Sequence, residues 1–357
     1  MAIEISRRGH ARDPLSHTHW ARFNFGIAAL VWAVWILLGG AFAWHSLVAN
    51  WRIALTMVFG SLVGGGTSEG GGAIAFPVFT KVLHIASHRA CLFAFAIQSV
   101  GMGAASLSIL YHRIAIEHRA LLWGGIGGLS GLLVSSYFIE PYIAPALVRV
   151  AFTVMVSSLG IALLILNRTS TVSRHERFPL FGSRERALLL SAGFVGGMMS
   201  ALAGCGENIV VFMLMVLLFR ISEKVATPTT VILMTIVTIG GFLLHVFAIR
   251  DFDRTVTGYW LAAVPIVAAG APLGAIICSR MSRRAIVGVL LTLIAAELTS
   301  TILLVPLSRR VAIAAAVSLA FFGSLNWVMS SVKLYADADA PLPRDFPERP
   351  VMPEEVA

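Results

Sequence analysis

Uncharged apolar runs fall at 25–45, 90–111, 120–139, 146–166, 225–248, 256–278, 285–305 and 311–331. Each is near the roughly 20 residues that a helix needs to cross a bilayer. Glu297 is the one charge well inside them. Two further stretches, 52–80 and 187–219, are too long for one ordinary span, and each carries a helix-breaking centre. In the first it is Gly64, Gly65, Gly66, Thr67, Ser68, Glu69, Gly70, Gly71 and Gly72; in the second it is Gly204, Cys205, Gly206, Glu207 and Asn208. Such a glycine cluster cannot sustain a helix, because each Gly costs about 1 kcal/mol against Ala.

The two broken stretches mark an internal duplication. A shift of 138 residues lays Gly66 on Gly204 and Glu69 on Glu207; further along, a shift of 136 lays Ala90 on Ala226, Glu117 on Asp253 and Trp123 on Tyr259. The chain therefore divides into an N-terminal segment 1–24, an added helix 25–45, a first repeat 52–166 and a basic loop 167–186. A second repeat 187–305, a closing helix 311–331 and a tail 332–357 follow. The prolines and acids of the tail predict disorder.

Positive charge decides whether the broken stretches cross the membrane or turn back, since Lys and Arg collect on the cytoplasmic side. With the N-terminus cytoplasmic, crossing places 15 Lys/Arg inside and 12 outside, whereas turning back places 19 inside and 8 outside. Turning back is preferred. The expected fold is an all-α polytopic membrane protein with eight spanning helices, two re-entrant hairpins and both termini in the cytoplasm. Each repeat then has three full crossings, an odd number, so the repeats are inverted, a recurrent transporter design.

Composition agrees. Hydrophobic residues make up 57% of the 357 and charged ones 13%, where soluble domains carry about a quarter. The net charge of +9 does not indicate nucleic acid, because the cations sit in short loops between apolar runs. Ala41, Phe42 and Ala43 resemble a leader cleavage site, but the preceding charged region is long, and an uncleaved first helix is expected. Cys91, Cys205 and Cys278 form neither a disulfide framework nor a zinc spacing. His84, His88, His112, His118 and His245 fall at helix ends without ligand spacing. No metal and no cofactor is expected, and no phosphate-binding loop is present. Gly124 and Gly128, Gly127 and Gly131, and Gly270 and Gly274 are small-xxx-small pairs suited to close helix packing.

Freed backbone groups at membrane depth must be satisfied by protein or by a water-filled cavity, and N–H groups at a half-helix start favour anions. Gly65, Gly66, Thr67, Ser68, Gly70, Gly71 and Gly72 are thus candidates to hold a small anion, faced by Gly204, Cys205, Gly206 and Asn208. Gln98, Ser99, Thr227, Thr229 and Thr230 follow the hairpins and either line the cavity or bond between helices. Glu69 and Glu207 beside an anion would repel it unless protonated. They are read either as proton-coupling groups or as first-turn residues completing a helix dipole. Glu297, as an intramembrane acid, is a third coupling candidate, although Ile161 stands at the matching position of the first repeat.

The run from Gly64 to Gly72 followed by Ala73, Ile74, Ala75, Phe76 and Pro77 resembles the signature of TauE/SafE permeases. Gly193, Phe194, Val195, Gly196 and Gly197, leading into Gly204, Cys205 and Gly206, resemble its second copy, which is poorer in glycine and has no match for Pro77. The resemblance covers about 52–305 and carries over Gly65, Gly66, Gly70, Gly71, Gly72 and Pro77 as motif positions. It implies a secondary transporter of sulfite, thiosulfate, sulfoacetate or related anions in a bacterial cytoplasmic membrane. The expected partners are a small anion, the bilayer, and a proton or sodium ion for coupling. The alternatives are a passive anion channel, a carrier of another small organic anion and, remotely, a membrane-embedded enzyme, for which no nucleophile–base spacing is found. Direction and oligomeric state stay open.

Overall fold

The computed structural model describes residues 14–66, 72–168, 175–178, 180–281, 283–306 and 308–331. Twelve α-helices occur among them, and no strand is formed. They are α1 (Pro14–Ala49), α2 (Trp51–Gly66), α3 (Gly72–Pro77), α4 (Ser87–Tyr111), α5 (His118–Phe138) and α6 (Pro145–Arg168). The second half holds α7 (Ser183–Ala203), α8 (Glu207–Met213), α9 (Glu223–Leu243), α10 (Arg254–Arg280), α11 (Arg283–Leu304) and α12 (Arg309–Ser331). Eight of these, α1, α4, α5, α6, α7, α9, α11 and α12, are long and apolar enough to cross a membrane. Helix α10, at 27 residues, also has the length, about 40 Å.

Two boundaries differ from expectation. Helix α1 starts eleven residues before Phe25; Phe23 stacks on Tyr111 at 4.1 Å between ring centroids, which ties this early turn to the end of α4. Helix α7, expected as a short hairpin arm, is 21 residues long. Its break comes late, at Gly204, so one arm is nearly a full span and the return arm is half of one.

Contacts fix the relative directions of six helices. Ser135 Oγ donates to Met198 O at 3.1 Å, and Gly127 and Gly131 lie against Leu190 and Phe194, so α5 and α7 run parallel. Helix α9 runs the same way: the Glu117 N–H donates to Thr229 Oγ1 at 2.9 Å, and Gly128 meets Val237. Since α7 and α9 both set out from the end of the bundle where α5 begins, the chain between them has turned back. At the other end, α2 runs parallel to α10, with Gly258 near Asn50, Gly270 against Ser61 and Gly274 against Leu62. Helix α4 is antiparallel to α9, with Ser106 and Thr235 hydroxyls 2.8 Å apart and Phe95 against Gly241. The first broken stretch thus enters and leaves at that far end, and the second at the near end where α1 begins. The repeats are inverted.

The local backbone repeats the duplication. Both return arms finish in a π-helical turn, Val78–Val82 and Leu214–Leu218. The turns close on left-handed His84 and Arg220, at φ 53° and 55°, and Ala86 and Ser222 open the next helix at ψ 138° and 136°. Each pair is 136 positions apart. Pro77 precedes the first π turn, but Met213 precedes the second, so the turn is a property of the fold and does not need the proline.

Helices α5 and α7 touch backbone to backbone. A Cβ built on Gly131 would fall 2.0 Å from the Phe194 carbonyl oxygen, and one on Gly197 would fall 2.0 Å from that of Gly128. Of the predicted small-xxx-small pairs, those of α5 lie on this seam, and Gly270 and Gly274 lie against Ser61 and Leu62 of α2. In lipid, where apolar side chains gain nothing by leaving their surroundings, such close approach is what holds helices together.

Candidate functional site

The second break is enclosed by protein in this conformation. Gly204 ends α7 in a left-handed conformation at φ 78°, which a side chain would strain, and residues 201–210 are all buried. The Gly204 N–H donates to Ser200 O at 2.7 Å, the Gly206 N–H to Asn208 Oδ1 at 3.3 Å and the Glu207 N–H to Ser200 Oγ at 3.1 Å. Two of the amides that the sequence offers to an anion, and that of Glu207 beside them, are therefore already held by neighbouring protein groups. The requirement that buried backbone groups be paired is met from within the loop.

The first break ends α2 at Gly66 and starts α3 at Gly72; Thr67, Ser68, Glu69, Gly70 and Gly71 lie outside the described residues. Gly65, Gly66 and Gly72 form the two helix ends that bracket them.

Gln98 of α4 stands between the breaks. Its Nε2 donates to Gly204 O at 2.9 Å, its Oε1 is buried with no hydrogen-bond partner among the described residues, and with Gly64 of the first break it lines a cavity of about 20 Å³. That is room for about one water. The break of each repeat is thus brought to one polar side chain.

Other candidates are placed elsewhere. Thr229 donates to Val225 O and accepts from the Glu117 N–H, at the near end and away from the break. Thr230 and Ser99 donate to carbonyls of their own helices. Cys205 is buried in the break. Pro77 belongs to the hairpin's return arm.

Glu207 is fully enclosed, beside Gly128 of α5 and Gly196 of α7, and among the described residues neither carboxylate oxygen has a hydrogen-bond partner. A charged carboxylate left in that state is costly. Glu207→Gln keeps the shape and removes the charge, so it is expected to melt at or above the wild-type temperature in detergent at neutral pH. A clear loss of stability would show that the carboxylate is needed for folding.

Glu297, the isolated acid of α11, has a cation after all. Lys81 Nζ, from the return arm of the first hairpin, lies 2.5 Å from its Oε1, with side chains 1% and 8% exposed. Thr153 of α6 and Ser300 and Thr301 of α11 complete the cluster. Sequence reasoning missed Lys81, Thr153, Ser300 and Thr301. The available signal was that a lone cation and a lone acid in apolar segments need each other.

At the far end the repeats are clasped by polar groups. His88 of α4 lies 2.5 Å from Glu140 and 3.0 Å from Asp251, His245 also meets Asp251 at 3.0 Å, and Arg89 pairs with Asp253 at 2.9 Å. Burial disfavours the Asp251 charge, but hydrogen bonds from His245 and His88 outweigh it and hold the carboxyl well below its ordinary range.

Two inverted repeats whose broken hairpins meet at one helix are transporter architecture, and the sequence comparison agrees. The family model for Sulfite exporter TauE/SafE matches residues 53–298. The chain belongs to the TauE/SafE family. The match runs from α2 into α11, so it takes in both hairpins, Gln98 and the Lys81–Glu297 pair, and leaves α1 and α12 outside. TauE/SafE proteins form a membrane transporter family, and this member is a multi-pass membrane protein. Comparison with curated proteins and with solved structures finds no match.

Proposed function

We propose that the protein is a secondary transporter of small sulfur-containing anions such as sulfite, thiosulfate or sulfoacetate, working by alternating access with its near end in the cytoplasm. The observation that carries this reading is the meeting of the two glycine breaks at Gln98. Hairpins entering from opposite ends give each side of the membrane its own access route to that point. The cavity of about 20 Å³ is too small for an oxyanion with three sulfur-bound oxygens, so the conformation described is a closed one. Separation of the second hairpin from α4 would free the Gln98 amide, and rearrangement within that hairpin would release the Gly204 and Gly206 amides now held by Ser200 and Asn208, so that together they replace the anion's hydration shell.

Counterflow in proteoliposomes tests this. Vesicles loaded with unlabelled sulfite, thiosulfate or sulfoacetate are expected to accumulate the labelled anion transiently. Gln98→Leu should reduce the initial rate at least tenfold while leaving the protein folded. Steady conductance without counterflow would make the protein a channel, and silence across the panel from folded protein would remove the sulfur assignment.

A further inference from the structure

The groups around Lys81 form a cage built to hold a cation, and the cage does not depend on Lys81. Thr153 Oγ1 of α6 lies 2.7 Å from Glu297 Oε1 and 2.7 Å from Thr301 Oγ1. Ser300 Oγ donates to the Glu297 carbonyl at 2.8 Å, and Thr301 Oγ1 donates to it at 3.0 Å. With those protons directed at the backbone, the hydroxyl lone pairs are left facing inward. The interior therefore presents acceptors: one carboxylate oxygen at 2.5 Å from Lys81 Nζ, Thr301 Oγ1 at 2.6 Å, Ser300 Oγ at 3.1 Å and the Glu297 carbonyl at 3.5 Å. The second carboxylate oxygen, Oε2, is buried and has no hydrogen-bond partner among the described residues. A single ammonium leaves it unused, whereas a compact ion could take both oxygens of the carboxylate. Carboxylate, hydroxyl and carbonyl oxygens are the donor set of a hard cation.

The cation now in the cage arrives from a different part of the molecule. Lys81 sits in the π turn of the first hairpin, the element whose movement would open the far-end route, whereas the cage belongs to α6 and α11. Arg149, one turn before Thr153 on α6, directs its Nε to Pro145 O at 3.4 Å and does not enter the cage.

We propose that Glu297, Thr153, Ser300 and Thr301 form a sodium site, which the Lys81 ammonium fills as a tethered cation in this conformation and cedes to Na⁺ when the first hairpin withdraws. Sodium binding and hairpin opening are then the same event, which would couple a sodium gradient to anion movement. That coupling rests on the transport reading above; the binding site does not.

Two measurements on the full chain test it, and neither uses a transported anion. In Lys81→Gln the tethered cation is gone, so NaCl should raise the melting temperature saturably by about 3 °C or more over choline chloride at equal ionic strength, and Lys81→Gln/Glu297→Gln should lose this response. In the wild type, Na⁺ should speed hydrogen exchange of amides 78–86 at least twofold relative to choline, and Glu297→Gln should remove the difference. If Lys81→Gln does not fold, the exchange experiment decides alone. Equal behaviour in sodium and choline overturns the proposal, as does a response that follows pH and ignores Na⁺.

Discussion

Lys81→Met is expected to destabilise the protein by about 3–5 kcal/mol in sodium-free buffer, the usual effect of leaving one member of a buried ion pair without its partner. Glu297 is 8% exposed and would be left among the hydroxyls of Thr153 and Thr301 without its cation. The double variant Lys81→Met/Glu297→Leu should recover most of the loss, since replacing both charges with apolar groups removes the uncompensated one. Thermal unfolding in detergent, run as a double-mutant cycle, measures both. A single variant as stable as the wild type would mean that the pair contributes nothing net to folding.

Gly131→Val is expected to cost at least the upper part of the roughly 1–3 kcal/mol that overpacking usually costs. The obstacle is the Phe194 main chain, 2.0 Å from the new Cβ, and no rotamer change can move it. Helices α5 and α7 would have to separate along the whole seam, because Gly127, Gly193 and Gly197 make equally close approaches. Gly288→Ala in α11 is the matched control. Nothing lies within 4 Å of its Cβ position, and Ala is the better helix former by up to about 1 kcal/mol. Size-exclusion chromatography after stepwise heating should show early loss of the folded Gly131→Val peak and none for Gly288→Ala. Equal melting of the two would remove the seam from the account of stability.

The spans were legible because run length and the bilayer thickness leave little freedom. The re-entrant course of 52–80 and 187–219 was legible from arginine placement, through the five in 167–186. Gly127 and Gly131 were recognised as a packing pair, but their partner was not. Gly193 and Gly197 entered only as part of a glycine-rich motif, and their pairing with α5 depends on the parallel course of two helices separated by a third. Lys81 and Glu297 are 216 positions apart, so nothing local joins them; only the inverted arrangement of the halves does. In this conformation the Gly206 amide is occupied for a local reason. Asn208 stands two residues on, where its side chain can cap the glycine amide, and the structure uses it so.

The pairing of helices has a consequence for biogenesis. Helix α2 packs on α10, α4 on α9 and α5 on α7, so each of these helices of the first repeat has its main partner in the second. When the ribosome has delivered the first repeat, the Gly127 and Gly131 grooves and Lys81 have nothing to pack against. The half-made chain must wait in the membrane with its backbone grooves filled by lipid and its lysine drawn towards the headgroups. Assembly is therefore deferred until the second repeat is inserted. The same logic allows the gene to be cut within the 167–186 linker: two fragments produced separately in one cell should find each other, while either fragment alone should be degraded.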